Sequence, residues 1–286
     1  MKKNNNLINE YQLLYDRYKM LSLNMFRWEG LPDTIQSRHI ENALFNHGLC
    51  LIVNDDNLGF ISVPCNYGAN LNINNEPTTV ITTGYNYIKT FKYMSEQHKN
   101  KCQLILNNDL GKPNKEYIEY YSQKMYEVDR VIRANINQQK YPWFIPCEPK
   151  LKNTIKAMFD KVDNLEPLIL ADKTIISDGI QVLTTSTPYV ADKLNEYKYE
   201  LEREILTFFG LNNTFEKKER LLTNEVDSNN DYIASNLEIQ YKNRLIAQDM
   251  LNKKFGWNCK VINVAQEKRE ENKEEEIENG NNNKND

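Results

Sequence analysis

The chain has 286 residues, 40% apolar and 27% charged, with a mean hydropathy of −0.71. No run approaches the roughly 18 apolar residues of a spanning helix, and MKKNNNLINE lacks the apolar core of a secretory signal. Residues 1–150 carry 17 Lys+Arg against 15 Asp+Glu (+2), 151–264 carry 15 against 17 (−2), and 265–286 carry 4 against 8 (−4). The body is therefore near neutral, without the basic excess of a protein that grips nucleic acid by charge.

Along the chain, a frayed MKKNNN leads into a helix over 7–25, where Tyr11, Leu14, Tyr15, Tyr18, Leu21 and Met25 recur at three- and four-residue steps. Short β-like runs follow at 49–53, 58–65, 78–83 and 102–106, separated by Asn, Gly and Pro turns. The stripe Ile118, Tyr121, Met125, Val128, Ile132 and Ile136 predicts a helix over 115–139, with Asn114 as N-cap and a stop before Pro142. A second β group lies at 143–146, 168–170, 174–176 and 180–183. Then Val190, Leu194, Tyr197, Leu201, Ile205 and Phe208 predict a helix over 188–209. Thr187 is its expected cap, Pro188 its first residue and Gly210 its stop.

Residues 211–235 show no clear period, and a loop of that length inside a compact domain is usually functional or disordered. It carries Lys217, Lys218 and Arg220 in one cluster, followed by Asp227-Ser-Asn-Asn-Asp231. Ser235-Asn-Leu-Glu238 reads as a capping box opening a last helix to Phe255, with Lys253 and Lys254 in its final turn and Gly256 behind it. Residues 266–286 hold one apolar side chain, Ile277, too few to offset the entropy of ordering.

Five cysteines (Cys50, Cys65, Cys102, Cys147 and Cys259) form no CxxC pair and read as free thiols. No catalytic signature emerges. Gly111-Lys112 is followed by Pro113 rather than Ser or Thr, so a nucleotide-binding loop is missing. His47 and Cys50 have ligand spacing, with His39 and Cys65 as the nearest further candidates for zinc; a core thiol beside a polar histidine explains them better. Neither GxSxG nor HExxH occurs. Glu196, Glu200 and Glu204 line one side of the third long helix, which a solvated face explains as well as acid–base chemistry. The expectation is a structural protein without a cofactor.

Several stretches resemble the portal proteins, also called upper collar or head–tail connector proteins, of phi29-type short-tailed phages. They are Met25-Phe-Arg-Trp28-Glu-Gly-Leu-Pro32, Leu106-Asn-Asn-Asp-Leu110 and, above all, PYVADKLN, TFFGLNN and EKKERLLTNEVDSNND within 188–231. The resemblance implies a mainly helical α+β fold. Long stem helices would surround a channel, with a β-rich, SH3-like wing and a small α/β clip as inserts. It assigns 1–30 to an N-terminal arm and first stem helix, 31–112 to the wing, 113–140 to the second stem helix and 141–187 to the clip. The third stem helix is then 188–210, the tunnel loop 211–235, a wing or crown helix 236–258, and a largely disordered acidic tail 259–286.

The implied function is a twelve-subunit ring at the capsid vertex of the virion, assembled in the host cytoplasm, that passes double-stranded DNA on packaging and ejection. The implied partners are copies of itself, DNA held without sequence preference, major capsid and scaffold proteins, lower collar and tail proteins, and transiently a packaging ATPase; no membrane is involved. Lys193 matches a channel lysine, Lys217 and Lys218 match the basic pair of the tunnel loop, and Glu196, Glu200, Glu204 and Arg220 join them as DNA-channel residues. Relatives carry another lysine where this chain has Thr184. Their arginine-rich arm is here only Lys2-Lys3, which speaks against a packaging RNA bound through it. The competing readings are another phage head or tail protein, and a DNA-binding or metal-dependent nuclease.

Overall fold

A computed structural model describes residues 9–94, 101–138, 143–147, 153, 168–172, 181–182, 188–211, 223–264 and 266–267. The chain is mixed α and β and divides into two compact units: 1–123 with 202–286, and 124–201. The division falls within the helices α3 (Asn114–Gln138) and α4 (Ala191–Phe208).

The larger unit is built on a five-stranded antiparallel sheet. In spatial order its strands are β5 (Thr90–Phe91), β4 (Val80–Thr82), β3 (Gly59–Tyr67), β2 (Leu49–Asp55) and β6 (Cys102–Leu106). The run LCLIV is apolar without alternation because β2 is central and covered on both faces. On one face Leu49, Leu51 and Val53 join Cys65, Val80, Phe91, Cys102 and Leu104 in a single core, as the register Leu51↔Leu104 and Val53↔Cys102 requires. The other face meets two helices, α2 (Ser37–His47) and α5 (Thr223–Phe255). At the end of α5, Lys254 Nζ donates to the Cys102 carbonyl and to Gln103 Oε1, so this cation anchors the helix to the sheet edge.

The strand expectations at 49–53, 58–65, 78–83 and 102–106 all correspond to strands of this sheet. Four elements lacked a readable signal: α2, the four-residue strands β1 (Phe26–Glu29) and β10 (Lys260–Asn263), and the two-residue β5, whereas the helix expected over 7–25 is α1 (Glu10–Leu23). Helix α2 opens the segment assigned to the wing, and its C-terminal Gly48 takes φ 74° in close approach to the backbone at Gly111. Strands β1 and β10 pair only with each other, joining residues more than 230 positions apart. Helix α1 buries Tyr18 and Ser22, and burial pushes the Tyr18 phenol up to about 12.

Three helix starts differ from expectation. Helix α5 begins at Thr223, so the unpatterned segment 211–235 is half helical and Ser235-x-x-Glu238 lies inside a helix instead of capping one. Once the amphipathic stretch after Leu237 is helical, adding turns N-terminally needs no new nucleus, and polar residues extend it without an apolar stripe. Helix α4 begins at Ala191 rather than Pro188, because the Asn135 side chain accepts from Val190 N–H and donates to Pro188 C=O, each at 3.0 Å. The expected cap Thr187 lies outside the described residues. Asn114 does open α3, but its carboxamide is buried in a network, donating to Ser22 Oγ and Gln240 Oε1 and accepting from Asn107 Nδ2.

The helix stops follow the sequence. Gly210 has φ 67°, its N–H reaches Thr207 C=O and Leu211 N–H reaches Leu206 C=O, the pair of bonds that defines a Schellman motif. Gly256 (φ 70°) closes α5 with a bond to Asn252 C=O. In the smaller unit, β7 (Trp143–Cys147) lies between parallel β8 (Leu168–Asp172) and antiparallel β9 (Gln181–Val182). The expected strand at 174–176 lies outside the described residues, as does most of the tail after 259.

Cys50, Cys65, Cys102 and Cys259 are free and buried, and burial pushes every one of these thiols up, Cys65 to about 12 and Cys259 to about 11. Thiolate is the reactive form, so burial and the raised pKa together make these thiols poor nucleophiles near pH 8. Peptide mapping after iodoacetamide treatment should find all four unmodified in the native protein and all four alkylated in denaturant. Native labelling of Cys50 or Cys65 would mean that the sheet core opens.

Candidate nucleic-acid interface

Helix α4 has 18 residues, about 27 Å at 1.5 Å per residue. At 100° per residue Lys193, Glu196, Glu200 and Glu204 fall within roughly 80° of arc. All four are exposed, whereas Leu201 and Ile205, on an adjoining sector, are buried. Val190 and Leu194 are half-buried, and Tyr197, expected in the apolar stripe, is exposed. The exposed residues of α4 include four carboxylates (Asp192, Glu196, Glu200 and Glu204) and two cations, Lys193 and Arg203. Arg203, in the larger unit's part of α4, is exposed, and nothing in its local pattern had singled it out.

Within the smaller unit, Lys198 Nζ binds both oxygens of Asp129 at 2.6 and 2.8 Å, pinning α4 to α3 beside the exposed face. That bond pairs Lys198 with Asp129. Within the larger unit, Tyr121 donates to Glu204 Oε2 at 2.8 Å, while Arg17 binds Glu202 at 2.7 Å. Burial first, and then the bonds to Tyr117 and Glu204, push the Tyr121 phenol well above its ordinary value, so it remains a donor. Glu204 is thus a positioned carboxylate rather than a freely moving one. Lys217, Lys218 and Arg220 lie outside the described residues.

The described part of this face is a row of exposed charges. Among the described residues no group of three or more His, Cys, Asp or Glu side chains comes together in a way that could hold a metal ion. The four zinc candidates have other occupations: His39 Nδ1 accepts from Gln36 N–H at the start of α2, His47 closes the same helix, and Cys50 and Cys65 lie in the sheet. No helix among the described residues is long and apolar enough to cross a membrane.

A second grouping escaped the sequence reading altogether. Arg244 of α5 and Glu41 of α2 form a bidentate pair at 3.0 and 2.6 Å, both almost wholly buried. The other guanidinium hydrogens reach the carbonyls of Asn107 and Gln240 and Asn107 Oδ1. Trp28 Nε1 donates to Glu41, and the Phe26 ring lies 4.2 Å from the guanidinium carbon. This cluster joins β1, α2, α5 and the segment after β6. Its role is architectural.

Among solved structures, the chain is similar to a component of the portal and tail of native bacteriophage P68, at 18% identity and a TM-score of 0.45, over 88% of this chain and 84% of that one. The sequence model of the Phage Connector (GP10) family matches residues 1–268. With nearly the whole length ahead of the acidic tail accounted for by that one match, the chain belongs to the phage connector family.

Proposed function

We propose that this connector protein assembles into a closed ring of twelve copies at the capsid vertex, where it joins head to tail and passes double-stranded DNA inward on packaging and outward on ejection. The family match over residues 1–268 carries this reading. In it α1, α3 and α4 are stem helices around the channel, the five-stranded sheet belongs to an SH3-like wing, and β7–β9 belong to the clip. The tunnel loop is 211–235, and within it the stretch from Thr223 on is helical. Capsid, scaffold and tail proteins and a packaging ATPase are the partners, in the virion and, during assembly, in the host cytoplasm. The role is structural rather than enzymatic.

The exposed face of α4 suits such a passage. A ring multiplies every charge by its copy number, so even one phosphate-binding cation per chain creates strong, salt-dependent retention. A wall with four carboxylates and two cations per helix repels the duplex overall while Lys193 supplies a sparse attractive ring. Contacts of this kind carry no sequence information, as a conduit requires. Lys217, Lys218 and Arg220 would add a second set of phosphate contacts at the constriction.

Electron microscopy and mass photometry of the full chain test the assembly; a stable monomer or dimer under assembly conditions overturns it. Lys193→Ala should leave ring mass unchanged and move stability by no more than about 0.5 kcal/mol, as exposed substitutions do. Its effect should appear in DNA transit. Particles built with the variant and compared for DNA filling and for DNA kept after motor release would show it; identical values in both measurements would remove Lys193 from the channel.

A further inference from the structure

Residues 57–88 carry one formal charge, Glu76, in a protein that is 27% charged overall. The same stretch exposes Leu58 at 56%, Ile88 at 76% and Tyr85 at 95%. Bare aromatic and aliphatic side chains, rimmed by the exposed charges of Asp56, Lys89 and Lys101, match the apolar centre and polar rim of a protein–protein contact.

These three side chains lie at one end of the sheet on two turns that Asp55 ties together. Its Oδ1 accepts from Asn57 and Leu58 N–H in the β2–β3 turn, and its Oδ2 accepts from Tyr87 Oη at 2.7 Å and Lys89 Nζ at 2.8 Å in the β4–β5 turn. Thr82 Oγ1 holds the second turn from inside, donating to Tyr87 C=O and accepting from Lys89 N–H. The apolar prominence is therefore held in one shape before any partner arrives, which reduces the ordering entropy lost on association.

At the other end of β3, Tyr67 lies against Gly111, beside a groove of about 750 Å³. Leu110, Pro113, Tyr117, Tyr120, Phe208 and Ile239 line it, and Leu110, Tyr120 and Ile239 are exposed. Prominence and groove are thus different surfaces of one unit, separated by the length of a nine-residue strand, roughly 26 Å. A ring uses heterologous contacts, in which one surface of each copy meets a different surface of the next. We propose that the occupant of the groove is a second copy of this chain, inserting Tyr85, Ile88 and Leu58 head to tail.

This inference rests on the ring reading above, and its test separates the two. The full-length chain and the variants Tyr85→Asp/Ile88→Asp and Tyr120→Asp are compared by mass photometry across a concentration series, with circular dichroism to verify folding. Each variant should stay folded and need about tenfold or more protein to assemble, the penalty expected for losing an anchor at an interface centre. Tyr85→Cys combined with Tyr120→Cys should give an oxidation-dependent ladder of linked chains that neither single cysteine variant gives. A parent chain that never oligomerises overturns the ring reading and this inference together. Rings formed normally by Tyr85→Asp/Ile88→Asp, or a double-cysteine variant without a ladder, overturn this inference alone and turn the prominence toward a different structural protein.

Discussion

Replacing Arg244 with Met is expected to destabilise the protein by about 3–5 kcal/mol, the usual result of stripping one partner from a buried ion pair. The loss exceeds that of the missing attraction because Glu41 remains 2% exposed with its carboxylate facing no cation. Asn107 and Gln240 would also lose the guanidinium that their carbonyls accept from. Arg244→Lys should recover only part of the stability, since three ammonium hydrogens on a flexible stem replace five in a planar fork. Pairing Arg244→Met with Glu41→Leu removes both charges and should restore much of what the single variant loses. Urea midpoints at fixed protein concentration measure all three; equal midpoints for the single and parent proteins would show that the cluster is energetically idle.

The second large effect is expected at Leu201, 1% exposed on the face of α4 next to the carboxylates. Leu201→Ala should cost about 2–5 kcal/mol through lost burial and the cavity left behind. Its neighbour Glu200, exposed on the adjoining sector, should tolerate Gln within about 0.5 kcal/mol. The contrast between adjacent positions tests the helix orientation directly. Similar midpoints for the two variants would mean that α4 is rotated, and would count against the proposal that its acidic face is a channel wall.

Local patterns in the sequence determined a good part of this protein. The apolar run 49–53 and the alternating 58–65 made strands, because a continuous or two-residue period leaves few other ways to bury those side chains. Three- and four-residue spacing determined α3 and the body of α4, and Gly210 and Gly256 ended their helices through positive φ that other residues adopt at a cost. The exposed positions of Lys193, Glu196, Glu200 and Glu204 followed from the same period, and the family was legible in the longer runs around 188–231.

Tertiary structure alone decided the rest. Asn114 had the look of an N-cap, yet its carboxamide bonds to Ser22 and to Gln240, 92 and 126 residues away. Asn135 set the start of α4 by reaching 55 residues along the chain to Val190. Arg244 sits among ordinary helix charges until α2 brings Glu41, 203 residues distant, against it, and β1 becomes a strand only because β10 supplies its hydrogen bonds. A periodic pattern reports which face of an element is buried. It holds no record of the distant group that will satisfy a buried amide, guanidinium or strand edge, because that partner is selected by the fold as a whole.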